Sequence, residues 1–162
     1  MPLKNKEFKV DNLEISITQF PAIKGLKIKA KLIRMLLPVV GPMIAPIMES
    51  MTSGGTKTDE ELLKLSGKLD LEAALPKAFI ALAEVLDEDK FLDLIMLLVG
   101  MTFVGGKPLT DENIFNEAFS GNYTTLYKLL YEIVMFNHFF DLSGIGLLSS
   151  RLINPAPISQ EN

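Results

Sequence analysis

The stretch ITQFPAIKGLKIKAKLIRMLLPVVGPMIAPIM, residues 17 to 48, decides how this chain is built. Ile17 closes a run in which apolar and polar residues alternate, the period of a half-buried strand. Pro21 opens a helix, at a position where a missing N–H costs nothing. Ala22, Ile23, Leu26, Ala30, Ile33 and Leu37 recur at helical spacing and are predicted to face the core, with lysines on the other side. Pro38, Pro42 and Pro46 each remove a hydrogen bond to the residue four back, so a kink or restart is predicted near Pro38 and Gly41-Pro42. The segment from Met35 to Met51 is too apolar for a loop and too proline-broken for a plain core helix. An exposable apolar groove or flap is expected there.

Upstream, residues 8 to 20 read as two short strands about an Asp11-Asn12 turn, since both turn residues tolerate left-handed angles. Downstream, residues 50 to 59 (SMTSGGTKTD) form a polar, Gly-rich break and a candidate mobile loop. A helix from Leu71 to Leu86 follows, then one capped by Asp87 and ended by Gly100. MTFVGGKPL predicts a second small hairpin about Gly105-Gly106, and Thr110 or Asp111 caps a short helix. From Tyr123 to Phe139 the chain is apolar around most of a helical circumference, which places that helix centrally. A last short helix is expected from Asp141 or Ser143 to near Arg151. The fold class is mainly α with small β-hairpins (α+β), as one helical domain over 1–152 with a flexible polar tail at 153–162.

Composition narrows the function. The 162 residues are 48% hydrophobic and 22% charged, a balance suited to a folded domain. No cysteine is present, which excludes disulfides, thiolate nucleophiles and thiolate metal sites. One histidine, His138, precludes a histidine metal cluster. The net charge of −4 gives no global attraction to nucleic acid. Eight of the first 34 residues are Lys or Arg, yet residues 24 to 34 carry no aromatic for bases to stack on, so the basic run reads first as a solvated helix face. Met35 to Met48 is too short to span a bilayer. A soluble cytoplasmic protein is expected.

Motifs for catalysis are missing. His138 sits among Phe136, Phe139 and Phe140, where a packed imidazole is the ordinary outcome. The Gly54-Gly55 and Gly105-Gly106 pairs lack the strand-to-helix setting of a phosphate loop. Asp87, Glu88, Asp89 and Asp93 lack the spacing of a calcium loop, and acids in a first helical turn follow from the dipole. No cofactor and no metal is expected, and the chain is read as a non-enzyme. The remaining signal is a surplus of adaptable apolar residues, with methionines along the proline-rich segment. Such surfaces suit partners of variable sequence.

The order of several pieces resembles bacteriophage tail assembly chaperones. The similarity rests on Gln19, Pro21, Ala22, Gly25, Leu32, Leu36, Gly41 and Pro42. It continues through Pro108-Leu109, then Phe115, Phe119, Gly121, Asn122 and Tyr123, and closes on Asn137, Phe139 and Phe140, covering roughly residues 8 to 141. The Pro38 and Pro46 positions depart from that pattern. The resemblance implies a non-enzymatic protein of the host cytoplasm, absent from the mature virion. Its partner would be the tape measure protein, a long helical client kept soluble during tail assembly, with the tail tube protein as a further partner. A groove for that client is assigned to Met35, Leu36, Val39, Met43 and Ile47, with Phe139 and Phe140 behind them.

Other readings differ in what they require. A structural tail or head–tail connector subunit would form rings or tubes alone and would want a β-rich body, where this chain offers two short hairpins. A membrane-active protein would use the basic first helix at an interface rather than across a bilayer. A small enzyme would need a site that one histidine and no cysteine leave little room for.

Overall fold

The computed structural model describes residues 2–52 and 71–139. They form, in chain order, β1 (Asn5–Val10), β2 (Leu13–Thr18), α1 (Ala22–Thr52), α2 (Leu71–Val85), α3 (Glu88–Leu98), a 3-10 turn (Val99–Met101), β3 (Thr102–Val104), β4 (Lys107–Pro108), α4 (Glu112–Phe119) and α5 (Tyr123–Phe136). The mainly helical α+β class expected from the sequence is the class observed. Most of the predicted loop at 50 to 59, the helix expected after Asp141, and the tail at 153–162 lie outside the described residues.

The two hairpins are one sheet. Strands run β1-β2-β3-β4, all antiparallel, with Ile15 opposite Val104 and Ile17 opposite Thr102 where the hairpins meet. Each hairpin turns on left-handed residues, Asp11 (φ 51°) in the first and Gly105-Gly106 (φ 55° and 78°) in the second. In the second, two positive φ angles in succession give the turn whose twist matches the flanking strands. Pro108 sits in the edge strand β4, where the ladder asks it for no donor. Ile15 and Ile17 point inward from β2, the half-buried alternation their spacing predicts.

Helix α5 is central. Leu126, Leu129, Leu130, Ile133 and Val134 are all buried, and α2, α3, α4 and β1 pack against it. Asp87 caps α3 by accepting from the Asp89 N–H at 3.1 Å, and Asp111 caps α4 by accepting from the Asn113 N–H at 2.9 Å. The buried apolar side chains of all these elements form one cluster.

Three expectations are corrected. First, α1 is assigned as continuous helix through Pro38, Pro42 and Pro46, with no restart at Gly41. The prolines are four residues apart and so share one ridge. Pro38 and Pro42 are exposed, so the carbonyls freed by the missing N–H groups open to water rather than to the core. Second, the buried face of α1 is Ile28, Leu32 and Leu36, while Ala22, Ile23, Leu26, Ala30 and Ile33 of the predicted stripe are exposed. Third, α5 ends at Phe136, not Phe139. His138 takes φ 54°, its N–H donates to the Met135 carbonyl, and the Phe139 N–H donates to the Val134 carbonyl, both at 3.1 Å. That pair of bonds is the Schellman arrangement. The sequence hides it because a histidine stands where glycine is usual.

Candidate functional site

Helix α1 presents two apolar faces. At 100° per residue, Ile28, Leu32 and Leu36 fall in one arc, with Met35 and Val39 half-buried beside them. Ala22, Ile23, Leu26, Ala30 and Ile33 fall in another arc, on the far side. Ile23 is 76% exposed, Leu26 67% and Ile33 39%. Lys24, Lys27, Lys31 and Arg34 form a basic seam between the two arcs, and Lys29 borders the outer arc on its other side.

The inward face of α1 is held at the helix entrance as well as by its packing on α2. The Phe20 N–H donates to Asn137 Oδ1 at 2.9 Å, which ties the chain just before α1 to the end of α5. The Phe20 and Phe139 rings then lie 5.9 Å apart, centroid to centroid. Gly25 faces both of them: a Cβ there would stand 3.6 Å from Phe20 and 3.7 Å from Phe139. Gly25 is on the same side of the helix as Ile28 and Leu32, so this contact holds the same face of α1 inward. The residues Gln19 to Gly25 and Asn137 to Phe139, far apart in sequence, therefore meet at one joint.

The residues assigned to a groove divide accordingly. Leu36 is fully buried and Phe139 is 3% exposed, so the core holds both, with Phe139 fixed by Phe20. Met35 and Val39 lie at the edge of the core. Met43 and Ile47 continue α1, and Phe140 lies outside the described residues. The exposed residues Ile23, Leu26 and Ile33 were legible as an apolar stripe but were given to the core. The signal that corrects them is the second stripe, Ile28, Leu32, Leu36, spaced by four and interleaved with the first.

The seam is electrostatically unbalanced. From Ala22 to Met48, α1 contains no acidic residue, and its first turn has none to offset the helix dipole. Among the described residues Lys27, Lys29, Lys31 and Arg34 make no ion pair. The pairs that do form lie elsewhere, Lys6 with Glu132 at 2.8 Å and Lys128 with Asp11 at 2.9 Å. Lys24 stands over the Phe20 ring at 5.5 Å.

Nothing described gathers into a catalytic or metal centre. Among the described residues no group of His, Asp and Glu is placed to hold a metal ion. His138 is exposed, and its backbone is what the fold uses. A shallow open depression over the first hairpin is lined by Glu7, Lys9, Glu14 and Gly105, and its Lys9–Glu14 pair is exposed at 3.3 Å. No helix among the described residues is long and apolar enough to cross a membrane.

Comparison with known proteins gives one family. The family described as "Phage tail assembly chaperone protein, TAC" matches residues 11–146, which takes in both sides of the Phe20–Asn137 joint. Neither the curated proteins nor the solved structures gave a match.

Proposed function

The chain belongs to the phage tail assembly chaperones, and from that premise we propose that it binds the tape measure protein and keeps it soluble while the tail assembles. The observation that supports this is α1 itself. It is a 31-residue helix, about 46 Å long, carrying more apolar surface than its own core consumes. A long amphipathic client needs that kind of surface, since helix-in-groove binding buries residues at i, i+3, i+4 and i+7.

In this reading the client seat is built on the stretch of α1 that carries Met35, Val39, Met43 and Ile47, spaced by four in sequence. Leu36, buried in the core, backs that stretch, whereas Phe139 packs at the entrance of α1 against Phe20 and takes no part in the seat. Methionine suits the task because a flexible thioether repacks against side chains of differing shape. Binding is the whole of the activity, so the protein acts without cofactor or metal. It works in the host cytoplasm and stays out of the finished virion, and the tail tube protein is its second partner.

Co-expression with the tape measure protein of the same phage, followed by fractionation, tests the proposal. The expected result is a tape measure protein that is soluble only in the presence of this chain and co-purifies with it in several copies. A client that stays insoluble would remove the proposal. A chain that forms rings or tubes by itself would favour a structural tail subunit.

A further inference from the structure

We propose that the outer face of α1, formed by Ile23, Leu26, Ala30 and Ile33, docks an amphipathic helix whose apolar stripe is flanked by acidic residues. This rests on the reading of the client as helical, and it gives that client a chemical specification. The apolar residues recur over ten positions, about 15 Å, the length of roughly three helical turns. With Ala22 their arc spans about 100°, the width of stripe that one helix presents to another. Nothing in the described fold covers it, with Ile23 and Leu26 more than two-thirds exposed.

Charge identifies the occupant. Lys27, Lys31 and Arg34 run along one border of the stripe and Lys29 along the other, and among the described residues none of them has an ionic partner. A docked helix with Glu or Asp on both flanks would pair with both borders while its apolar residues meet Leu26 and Ile33. A second copy presenting this same face would bring cation against cation. An anionic membrane would satisfy the charge. However, Ile28, Leu32 and Leu36 are already committed to the core, so the helix cannot roll to sink a wider face.

The test uses the full-length protein and two synthetic amphipathic peptides of roughly 18 residues, five helical turns. Both carry the same leucine stripe, one flanked by Glu and the other by Lys. The Glu-flanked peptide is expected to bind at least about tenfold more tightly, with affinity falling as salt screens the pairs. Leu26→Asp should abolish that binding without changing the circular dichroism, because Leu26 takes no part in the core. The double variant Lys27→Glu, Arg34→Glu should reverse the preference toward the Lys-flanked peptide.

Equal binding of both peptides, or a Leu26→Asp protein that binds as well as the parent, would overturn the proposal. So would pelleting with phosphatidylglycerol vesicles that exceeds peptide binding, or an oligomer in light scattering that Leu26→Asp dissolves. Co-expression separates the two levels. If the parent and Leu26→Asp proteins solubilise the tape measure protein equally, the docking face is wrong and the chaperone reading stands. If the parent fails to solubilise it while the peptides still discriminate, the chaperone reading fails and the docking face stands.

Discussion

The Asn137 side chain bridges two chain segments, accepting from the Phe20 N–H at 2.9 Å and donating to the Ile133 carbonyl at 2.9 Å. One carboxamide thus gives the Phe20 N–H, just before α1, its acceptor, and adds a second donor to the Ile133 carbonyl, which already accepts the Asn137 N–H at 3.1 Å. Asn137→Ala leaves the Phe20 N–H part-buried without an acceptor. It should cost about 1–3 kcal/mol of stability, read as a lower urea midpoint. Asn137→Asp keeps the acceptor and should recover part of that loss.

Asp11 combines a turn and an electrostatic tie. It occupies φ 51° between β1 and β2, accepts from the Thr125 hydroxyl, and accepts from Lys128 Nζ at 2.9 Å. The Thr125 hydrogen bond first, and the Lys128 hydrogen bond next, hold its carboxyl below the usual aspartate range. A lowered folded-state pKa stabilises the fold at pH values above the unfolded one, and the effect is lost as pH falls through the folded value. Asp11→Asn should therefore lower the urea midpoint at neutral pH. The gap from the parent should close as the solution is acidified to about pH 2. A gap of constant size across that range would remove Asp11 from the account.

His138 holds a left-handed conformation that favours glycine. The left-handed geometry costs a side-chain-bearing residue about 1–2 kcal/mol, offset in part by the greater unfolded-state entropy of glycine. His138→Gly should raise the melting temperature slightly and leave client solubilisation unchanged. Loss of client binding in this variant would give the imidazole a direct role.

Pro38 is an exposed helical residue whose ring faces solvent. In a continuous helix, Pro38→Ala restores one backbone bond and removes a ring clash, so stability should rise by about 1–3 kcal/mol. A break at that position would make the same change neutral or harmful, because proline then restricts only the unfolded chain.

Much of this architecture was legible in the residues. The Asp11-Asn12 and Gly105-Gly106 turns, the Asp87 and Asp111 caps and the central place of the last long helix follow from local chemistry, and all are observed. What failed needed information from far along the chain. The pairing of β2 with β3 joins residues some ninety positions apart in sequence, and no local signal announces it. The orientation of α1 was misjudged because the helix has two stripes of similar hydrophobicity. Long-range packing chooses between them, through Gly25 beside Phe20 and Phe139 and through the contact of α1 with α2. Proline is disfavoured inside helices and so predicts a break, but Pro38 and Pro42 are exposed, which lets α1 continue through them. The groove assignment suffered from the same ambiguity, since Leu36 and Phe139 differ from Leu26 and Ile33 in position and not in residue character.

The most direct test of the central claim follows the client's aggregation in solution. Tape measure protein of the same phage, unfolded in denaturant, is diluted into buffer with increasing amounts of this purified chain, and light scattering is recorded. The account predicts that scattering falls with rising chain-to-client ratio and is suppressed once a fixed stoichiometry is reached, with the client recovered in a soluble complex. Scattering that rises equally with and without the chain would contradict it.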